Sequence, residues 1–463
     1  MKKFNIIIIG GGPGGYVAGI RGSQLGGKVC IIEKDEIGGT CLNRGCIPTK
    51  VLVASAEYLR KARHSGNFGI EINGTIEPSL SSIMNRKKRV IETNIKGIKA
   101  LFKKNNITLI YGEGKLVSNK RVYIKKRDGS EEEIEGDNII IATGSKPLNI
   151  PLFPFDSKTI LSSDDILNIE TIPESLLIIG AGVIGCEYGF IFNELGTKVT
   201  MVEMMPHALP LEDEEISESM EREIKKNRIK LYKNNKVESI SRMESGGVCS
   251  VLSNGEKIEA EKILVSIGRT FNVEGLNLKD IEVEQGPKGE IIVNNKMQTS
   301  IPNIYAIGDV TGKVMLAHVA STQGIISVEN ALGGNVEMDY TVIPATIFTN
   351  PEIGRVGLTE KDAKDKGIEV KIGRFPFRGL GKSQITGDFS GLVKIICRAD
   401  SSVVLGMHII GANATELIHE GALALKMKAT YHDISSLIHS HPTFSEAIME
   451  ASHDVDGMAI HKI

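Results

Sequence analysis

No apolar run in this chain is long enough to cross a bilayer. The longest, such as FNIIIIG and SLLIIGAGVIG, are strand-sized, whereas a spanning helix needs about 20 apolar residues. An excess of one charge is missing too. Lys and Arg number 55 against 57 Asp and Glu, a net charge of −2, so neither a nucleic-acid surface nor a polybasic membrane face is expected. Cysteine is scarce: six residues without the spacing of a disulfide framework, which fits a reducing compartment. Met1-Lys2-Lys3 leads at once into a short apolar run and glycines. That is too short for a signal peptide, and no Arg/Ser-rich transit segment is present, so a cytoplasmic protein is expected. The 463 residues allow several domains, each with its own core.

What is abundant is glycine, and it is ordered. FNIIIIGGGPGGYVAGIRGSQLGGKVCIIEKD begins as a buried parallel strand, continues through Gly10, Gly12 and Gly15, and ends a second strand at Glu33. The first two glycines permit a tight turn and close backbone approach to a pyrophosphate. The third lets helix and strand pack, and the helix N-terminus faces the anion. Glu33 can accept from ribose hydroxyls. The plan returns in SLLIIGAGVIGCEYGFIFNELGTKVTMVE, with Gly180, Gly182, Gly185 and Glu203, and in both copies the acid lies 18 residues beyond the third glycine.

Each copy then shows a hairpin signal, Asp128-Gly129 and Asn254-Gly255, and a strand ending at glycine, Gly144 and Gly268. Gly10 and Gly144 are 134 residues apart and Gly180 and Gly268 are 88 apart, so the first copy is longer by 46. A helical insert over roughly 50–105 accounts for the difference. Two such units imply two dinucleotides exchanging electrons. In the second, Glu203 would repel a 2′-phosphate and MMPHALP after it offers no Arg, which selects NAD over NADP.

Between its glycine loop and its hairpin the first copy carries GGTCLNRGCIPTK, with four residues between Cys41 and Cys46. As a zinc half-site the pair lacks two further ligands, and no metal is expected. On a straight helix their Cα atoms would lie roughly 8.6 Å apart, beyond the ~7 Å a disulfide spans. A bond between them would need an irregular helix start, which Gly38, Gly39 and Gly45 would permit. So small a loop would gain little stability from closure. The pair reads either as chance neighbours or as a dithiol that opens and closes in turnover.

Thiol chemistry needs a base, because the thiolate is the nucleophile. LIHSHPTFSEAIMEASHD, near the C-terminus, offers His439, His441 and Glu446. Pro442 would fix the chain so that a rigid turn aims His441 before a helix opening at about Thr443. Glu446 could orient the imidazole, or form a capping box with Thr443.

Taken together, GGPGGYVAGIRGSQLG, GGTCLNRGCIPTK, ATGSKP, GAGVIGCE, IYAIGDV, MLAHVA, FTNPEIGRVGLTE and HSHPTFSEA resemble, in order and spacing, the pyridine nucleotide–disulfide oxidoreductases, and among them the enzymes that oxidise dihydrolipoyl groups. The resemblance implies an α/β fold of two Rossmann-like dinucleotide-binding domains plus a C-terminal α+β dimerisation domain. The boundaries expected are 1–148 for FAD, 149–272 for NAD, 273–342 for a central domain completing the FAD site, and 343–463 for dimerisation. FAD would be held by Gly10, Gly12, Gly15, Glu33, Lys50, Gly114, Thr143, Gly144, Ser145, Asp309, Met315, Leu316, Ala317 and His318. NAD would be held by Gly180, Gly182, Val183, Ile184, Gly185, Glu187, Glu203, Val237 and Gly268.

By the same resemblance, Cys41 and Cys46 form the redox disulfide, with Cys41 the solvent-side sulfur and Cys46 the one against the flavin. Lys50, paired with Glu187, would stabilise charge arriving on the flavin. His441 would be the base and Glu446 its orienter, leaving His439, His318 and His419 without a proton-transfer role. The base would come from the second chain of a homodimer. The partner implied is the lipoylated acyltransferase of a 2-oxoacid dehydrogenase complex or the glycine cleavage carrier protein. Thr49 and Phe271 stand where the family usually has Ser and Pro, and Phe271 could alter a loop near NAD. The chain ends GMAIHKI, without the C-terminal cysteine pair of mercuric reductases, and it lacks the Arg near the second ribose usual in NADP-dependent glutathione reductases. A non-catalytic subunit that keeps FAD only for folding would have no use for Cys41, Cys46, Lys50, His441 and Glu446 together.

Overall fold

The structure, a computed structural model, describes residues 1–244 and 246–462. The chain forms two compact units: residues 1–52, 79–148 and 268–339, and residues 53–78, 149–267 and 340–463.

The first unit is built on a sheet whose centre is Lys2–Ile9, flanked in parallel by Val29–Glu33 and Glu131–Ile141. Thr108–Leu116 adds beyond Val29–Glu33, and Ile304–Ala306 beyond Glu131–Ile141, both parallel. The isoleucines of the first strand are buried because helices cover a parallel sheet on its faces. Arg121–Lys126 pairs antiparallel with both long strands as the hairpin expected at Asp128-Gly129. The glycine helix Pro13–Gln24 crosses the helix Ala317–Ala331 closely, and a Cβ on Gly324 would stand 2.5 Å from the Gly14 carbonyl oxygen. Leu80–Lys104, capped by the Ser79 hydroxyl, is the long helix of the region expected to be helical.

The second unit repeats the plan. Ser175–Ile179, Lys198–Val202 and Lys230–Tyr232 run parallel on one side and Lys262–Val265 and Ile160–Leu161 on the other. Val237–Arg242, Val248–Leu252 and Lys257–Ala260 form a separate antiparallel meander. The C-terminal part is a five-stranded antiparallel sheet, ordered Ala345–Ile347, Glu352–Gly357, Val404–Gly411, Leu392–Arg398 and Val370–Pro376. Helices Ala414–Met427 and Glu446–Asp454 cover it over a core that includes Phe375, Phe377, Ile409 and Ile448. A Cβ on Gly373 would meet the Ala451 carbonyl oxygen at 2.0 Å, so the strand carries glycine where this last helix lies against it.

A buried ionic knot ties helix Glu214–Lys226 to the antiparallel sheet within this unit. Lys394, 3% exposed, reaches Asp213 at 2.8 Å and Glu360 at 2.9 Å. Among the described residues no helix is long and apolar enough to cross a membrane.

Candidate active site

The two glycine turns are superimposable in their chemistry. Gly10 and Gly180 take φ of +108° and +96°, where only glycine sits without strain. At the third glycine a Cβ would come 1.9 Å from the Gly10 carbonyl oxygen and 2.0 Å from that of Gly180, so strand and helix pack through bare backbone. At the second glycine the space is open: a Cβ on Gly182 would meet nothing within 4 Å, and one on Gly12 only the Gly39 Cα at 3.9 Å. Gly12 and Gly182 are also the residues that begin the two helices. Open backbone at a helix N-terminus is the cradle a pyrophosphate requires, so both loops fit a dinucleotide. Val183 and Ile184 open the second helix.

Both terminal acids do more than await a ribose. Glu33, nearly buried, accepts from the Gly11 amide at 2.7 Å and the Asp35 amide at 2.7 Å. Glu203 accepts from Ala181 at 2.8 Å and Met205 at 2.9 Å. Each acid therefore braces its own glycine turn against the loop that follows its strand, with lone pairs left over.

Further residues of the first unit converge through side-chain bonds. Ser145 donates to Asp309 and accepts from the Arg269 Nε at 2.7 Å. Thr143 donates to the Asn272 carbonyl at 2.7 Å, and Gly144 takes φ +69°. Asp309 lies in a short 3-10 turn whose Gly308 amide is held at 2.6 Å by the buried Gln323. Leu316 and Ala317 begin the helix to Ala331, with Met315 and His318 exposed. Gly114 sits on its strand in contact with Ile9 and Ile32. Arg269 and Gln323 carried no sequence signal beyond their neighbours' motifs.

Val237 is 3% exposed and packs in an apolar cluster with Leu177 and Val202, so its side chain belongs to the core. Gly268 takes φ +128°. Glu187, also buried, accepts from the Phe348 amide at 3.0 Å.

The cysteines occupy a broken helix. Gly39–Arg44 ends at Gly45, with φ −142° and ψ −118°, and a second helix starts at Cys46 and runs to Arg63. That break is the irregular start the spacing required. A Cβ on Gly45 would lie 3.0 Å from the Thr40 carbonyl oxygen, so the chain folds tightly back on itself. Cys46 is exposed and Cys41 half-buried. The Cys41 thiol is pushed up, first by its hydrogen bond with Cys46 and then by burial, while the Lys50 charge opposes the rise. Lys50 is one turn beyond Cys46 on the same helical face.

Two residues around the pair had gone unremarked. Asn43 donates to the carbonyls of Ile37 at 3.1 Å and Gly39 at 2.9 Å, fastening the short helix to the preceding turn. The Tyr16 phenol is raised by burial and by Cys41 beside it. Among the chain's own atoms Cys46 is the more exposed of the two sulfurs. Burial raises three further thiols, Cys30 and Cys397 to about 12 and Cys186 in the same way, which leaves those three inert.

In the second unit His441 Nδ1 lies 2.9 Å from Glu446 Oε1, and the Thr443 amide donates to Glu446 Oε2 at 2.8 Å. One Glu446 oxygen meets the imidazole and the other the Thr443 amide, but the expected capping box with Thr443 does not form. The helix opens at Glu446, not Thr443, because the Thr443 hydroxyl turns back to the Ser440 carbonyl and does not cap it. Burial would raise the Glu446 carboxyl, but the Thr443 amide and the His441 imidazole outweigh it and hold the group low. The imidazole is 74% exposed. With Nδ1–H donating to the carboxylate, Nε2 keeps its lone pair for a proton. His439, 4% exposed, is raised by its bond to Glu420 at 3.0 Å and is enclosed.

The family model of the pyridine nucleotide-disulphide oxidoreductases matches residues 4–324, and that of the family's dimerisation domain matches 343–452. The chain belongs to this family. Dihydrolipoyl dehydrogenase of Bacillus subtilis is 41% identical, over 99% of this chain and 99% of that one. The mitochondrial dihydrolipoyl dehydrogenase of Pisum sativum is 40% identical, over 99% of this chain and 92% of its own. Among solved structures, LpdA from Mycobacterium tuberculosis superposes with a TM-score of 0.92 at 29% identity, covering 98% of this chain and all of that one. The expected fold class, two dinucleotide-binding domains followed by a dimerisation domain, is the one these matches share.

Proposed function

We propose that the chain is a dihydrolipoamide dehydrogenase, oxidising dihydrolipoyl groups carried on a protein partner and reducing NAD+ to NADH. The observation that carries the reading is the cysteine pair set on a helix break beside a dinucleotide cradle. Bound FAD supplies a two-electron station between the dithiol and the nicotinamide.

The remaining chemistry belongs to the chain. With Cys41 and Cys46 joined as a disulfide, His441 Nε2 takes the proton of one substrate thiol. The thiolate attacks Cys41 Sγ, the Cys41–Cys46 bond breaks, and Cys46 leaves as a thiolate. The second substrate thiol then attacks the substrate sulfur of this mixed disulfide and gives its proton to Cys41 as it displaces it. Lipoyl departs as a disulfide, and the enzyme holds one thiol, one thiolate and one imidazolium. Lys50, a turn from Cys46, stabilises the anion. Glu446 stabilises the imidazolium and fixes its tautomer, as the carboxylate of a catalytic triad does.

FAD would be held by the first glycine loop with Glu33 and the Ser145–Asp309 pair, and NAD by the second loop with Glu203. A carboxylate braced at that position is unfavourable for a 2′-phosphate, which supports NAD.

His441 is proposed to serve the dithiol of a second copy in a homodimer. The dimerisation domain supports this, as do the large apolar side chains it exposes: Leu423, Met427, Leu437 and, at 95%, Ile438. The lipoyl group would arrive on an acyltransferase or a glycine cleavage carrier protein, in the cytoplasm. The deciding test is NAD+ reduction by free dihydrolipoamide with the FAD-loaded protein; absence of turnover would sink the reading.

A further inference from the structure

Glu446 is not the sole carboxylate on its helix to hold an imidazole. One turn later Glu450, 1% exposed, accepts from His461 Nδ1 at 2.7 Å, from the Ile460 amide at 2.8 Å and from the His461 amide at 3.3 Å. All three donors come from the C-terminal tail, which doubles back along the helix. Lys462 fastens it again, 2.6 Å from Asp454. The His461 carbonyl oxygen lies 3.0 Å from where a Cβ on Gly379 would sit, so the turn Phe377–Gly379 closes the other side. The His461 ring itself is 68% exposed.

We propose that Glu450 and His461 are a positioning pair for the His441–Glu446 couple, the tail setting the orientation and local charge of the catalytic imidazole. Glu446 and Glu450 are four residues apart, hence neighbours on one helical face. A buried carboxylate with no donors would neutralise or draw in water, and either would disturb the turn carrying Glu446. Charge also passes directly. His461 is among the groups that hold the Glu446 carboxyl down, after burial, the Thr443 amide and His441 have acted. The charged groups around His461 are Glu446, Glu450 and Asp454 on the helix, His441 before it, Lys462 in the tail, and Arg378 on the adjoining turn. This inference rests on His441 being the base.

The test uses the FAD-loaded dimer, with kcat/KM for dihydrolipoamide measured against pH and expressed per bound FAD. Glu450→Gln removes an anion, so the acid limb should move to lower pH by about half a pH unit, and His461→Gln removes the donor that holds Glu450, so its acid limb should also be displaced from the parent's. Each should cost roughly 3–10-fold, and neither should add to the loss already caused by His441→Gln, because both act through that residue. Profiles superimposable on the parent, or losses that multiply with that of His441→Gln, would overturn the proposal. If Glu450→Gln fails to fold, the exposed His461→Gln decides alone. Retained turnover in His441→Gln by itself would instead overturn the assignment of the base, and is told apart by that single variant.

Discussion

Glu446→Gln is the sharpest perturbation of the proposed acid–base couple, because it preserves shape and removes one charge. In the parent, one carboxylate oxygen serves His441 at 2.9 Å and the other the Thr443 amide at 2.8 Å. Glutamine has one oxygen for two donors. If that oxygen stays with Thr443, the amide nitrogen faces His441 Nδ1 and drives the proton to Nε2, the atom that must accept one. If it turns to His441, the Thr443 amide is orphaned. A hydrogen bond to a charged group contributes about 1.5–3 kcal/mol, and every 1.4 kcal/mol is tenfold in rate. Dithiol oxidation should therefore fall roughly 10- to 100-fold.

The pH dependence follows from the lowered Glu446 carboxyl. A depressed folded pKa gives a contribution that is complete above the unfolded value and lost as pH falls through the folded one. Between pH ~6 and ~8 the parent carboxylate is ionised throughout, so its own protonation contributes no pH dependence there, and any displacement of the acid limb in the variant, expected toward lower pH, reports the charge removed from beside the imidazole. The assay is steady-state NAD+ reduction by dihydrolipoamide, normalised to bound FAD. A variant within twofold of the parent would refute the orienting role.

Cys41→Ser should abolish dihydrolipoamide turnover while NADH still reduces the flavin, read as bleaching of its absorbance; retained turnover would show that a Cys41–Cys46 disulfide is not the oxidant of the substrate. Mixing the Cys41→Ser and His441→Gln proteins, each inactive, and allowing subunits to exchange should restore about a quarter of parent activity, since half the dimers are mixed and one site in each is whole. No recovery in a mixture shown to exchange would place base and dithiol in one chain. Asp213→Asn should destabilise the second unit by about 2 kcal/mol and lower its thermal midpoint by roughly 4–8 °C, because it removes the most buried of the partners of Lys394. An unshifted melting curve would show that the remaining carboxylates, Glu360 and Glu215, suffice.

What was legible in the sequence was whatever has a short-range signature. The glycine turns were, since spacing, strand and terminal acid lie within about 30 residues. So was the irregular helix start, as the condition for a bond between Cys41 and Cys46, with Gly38, Gly39 and Gly45 to permit it. What stayed hidden joins residues far apart in the chain. Ser145 meets Asp309 and Arg269 across more than a hundred positions, and Lys394 meets Asp213 across 181. No periodicity encodes such pairs. The helix at Glu446 began later than expected because Thr443 is a cap by type, yet its hydroxyl found Ser440 instead. Val237, which the resemblance alone placed at the NAD site, turns its side chain into the apolar cluster with Leu177 and Val202.

The two glycine units make a further point about what each acid is for. Glu33 and Glu203 hold the same pair of amides, one in the glycine turn and one beyond their own strand, at 2.7 to 2.9 Å. An acid so braced costs little to orient when a ribose arrives, because the ordering entropy has been spent in folding. It also makes Glu203→Gln ambiguous as a specificity probe, since the variant loosens the turn that must hold the pyrophosphate. The two cradles are equivalent where both read the ADP half. Their difference lies downstream: the first unit alone carries a cysteine pair, between its glycine turn and its hairpin. In the proposed reading the dithiol therefore serves the first nucleotide, and the second unit, which has no such pair, serves the nicotinamide.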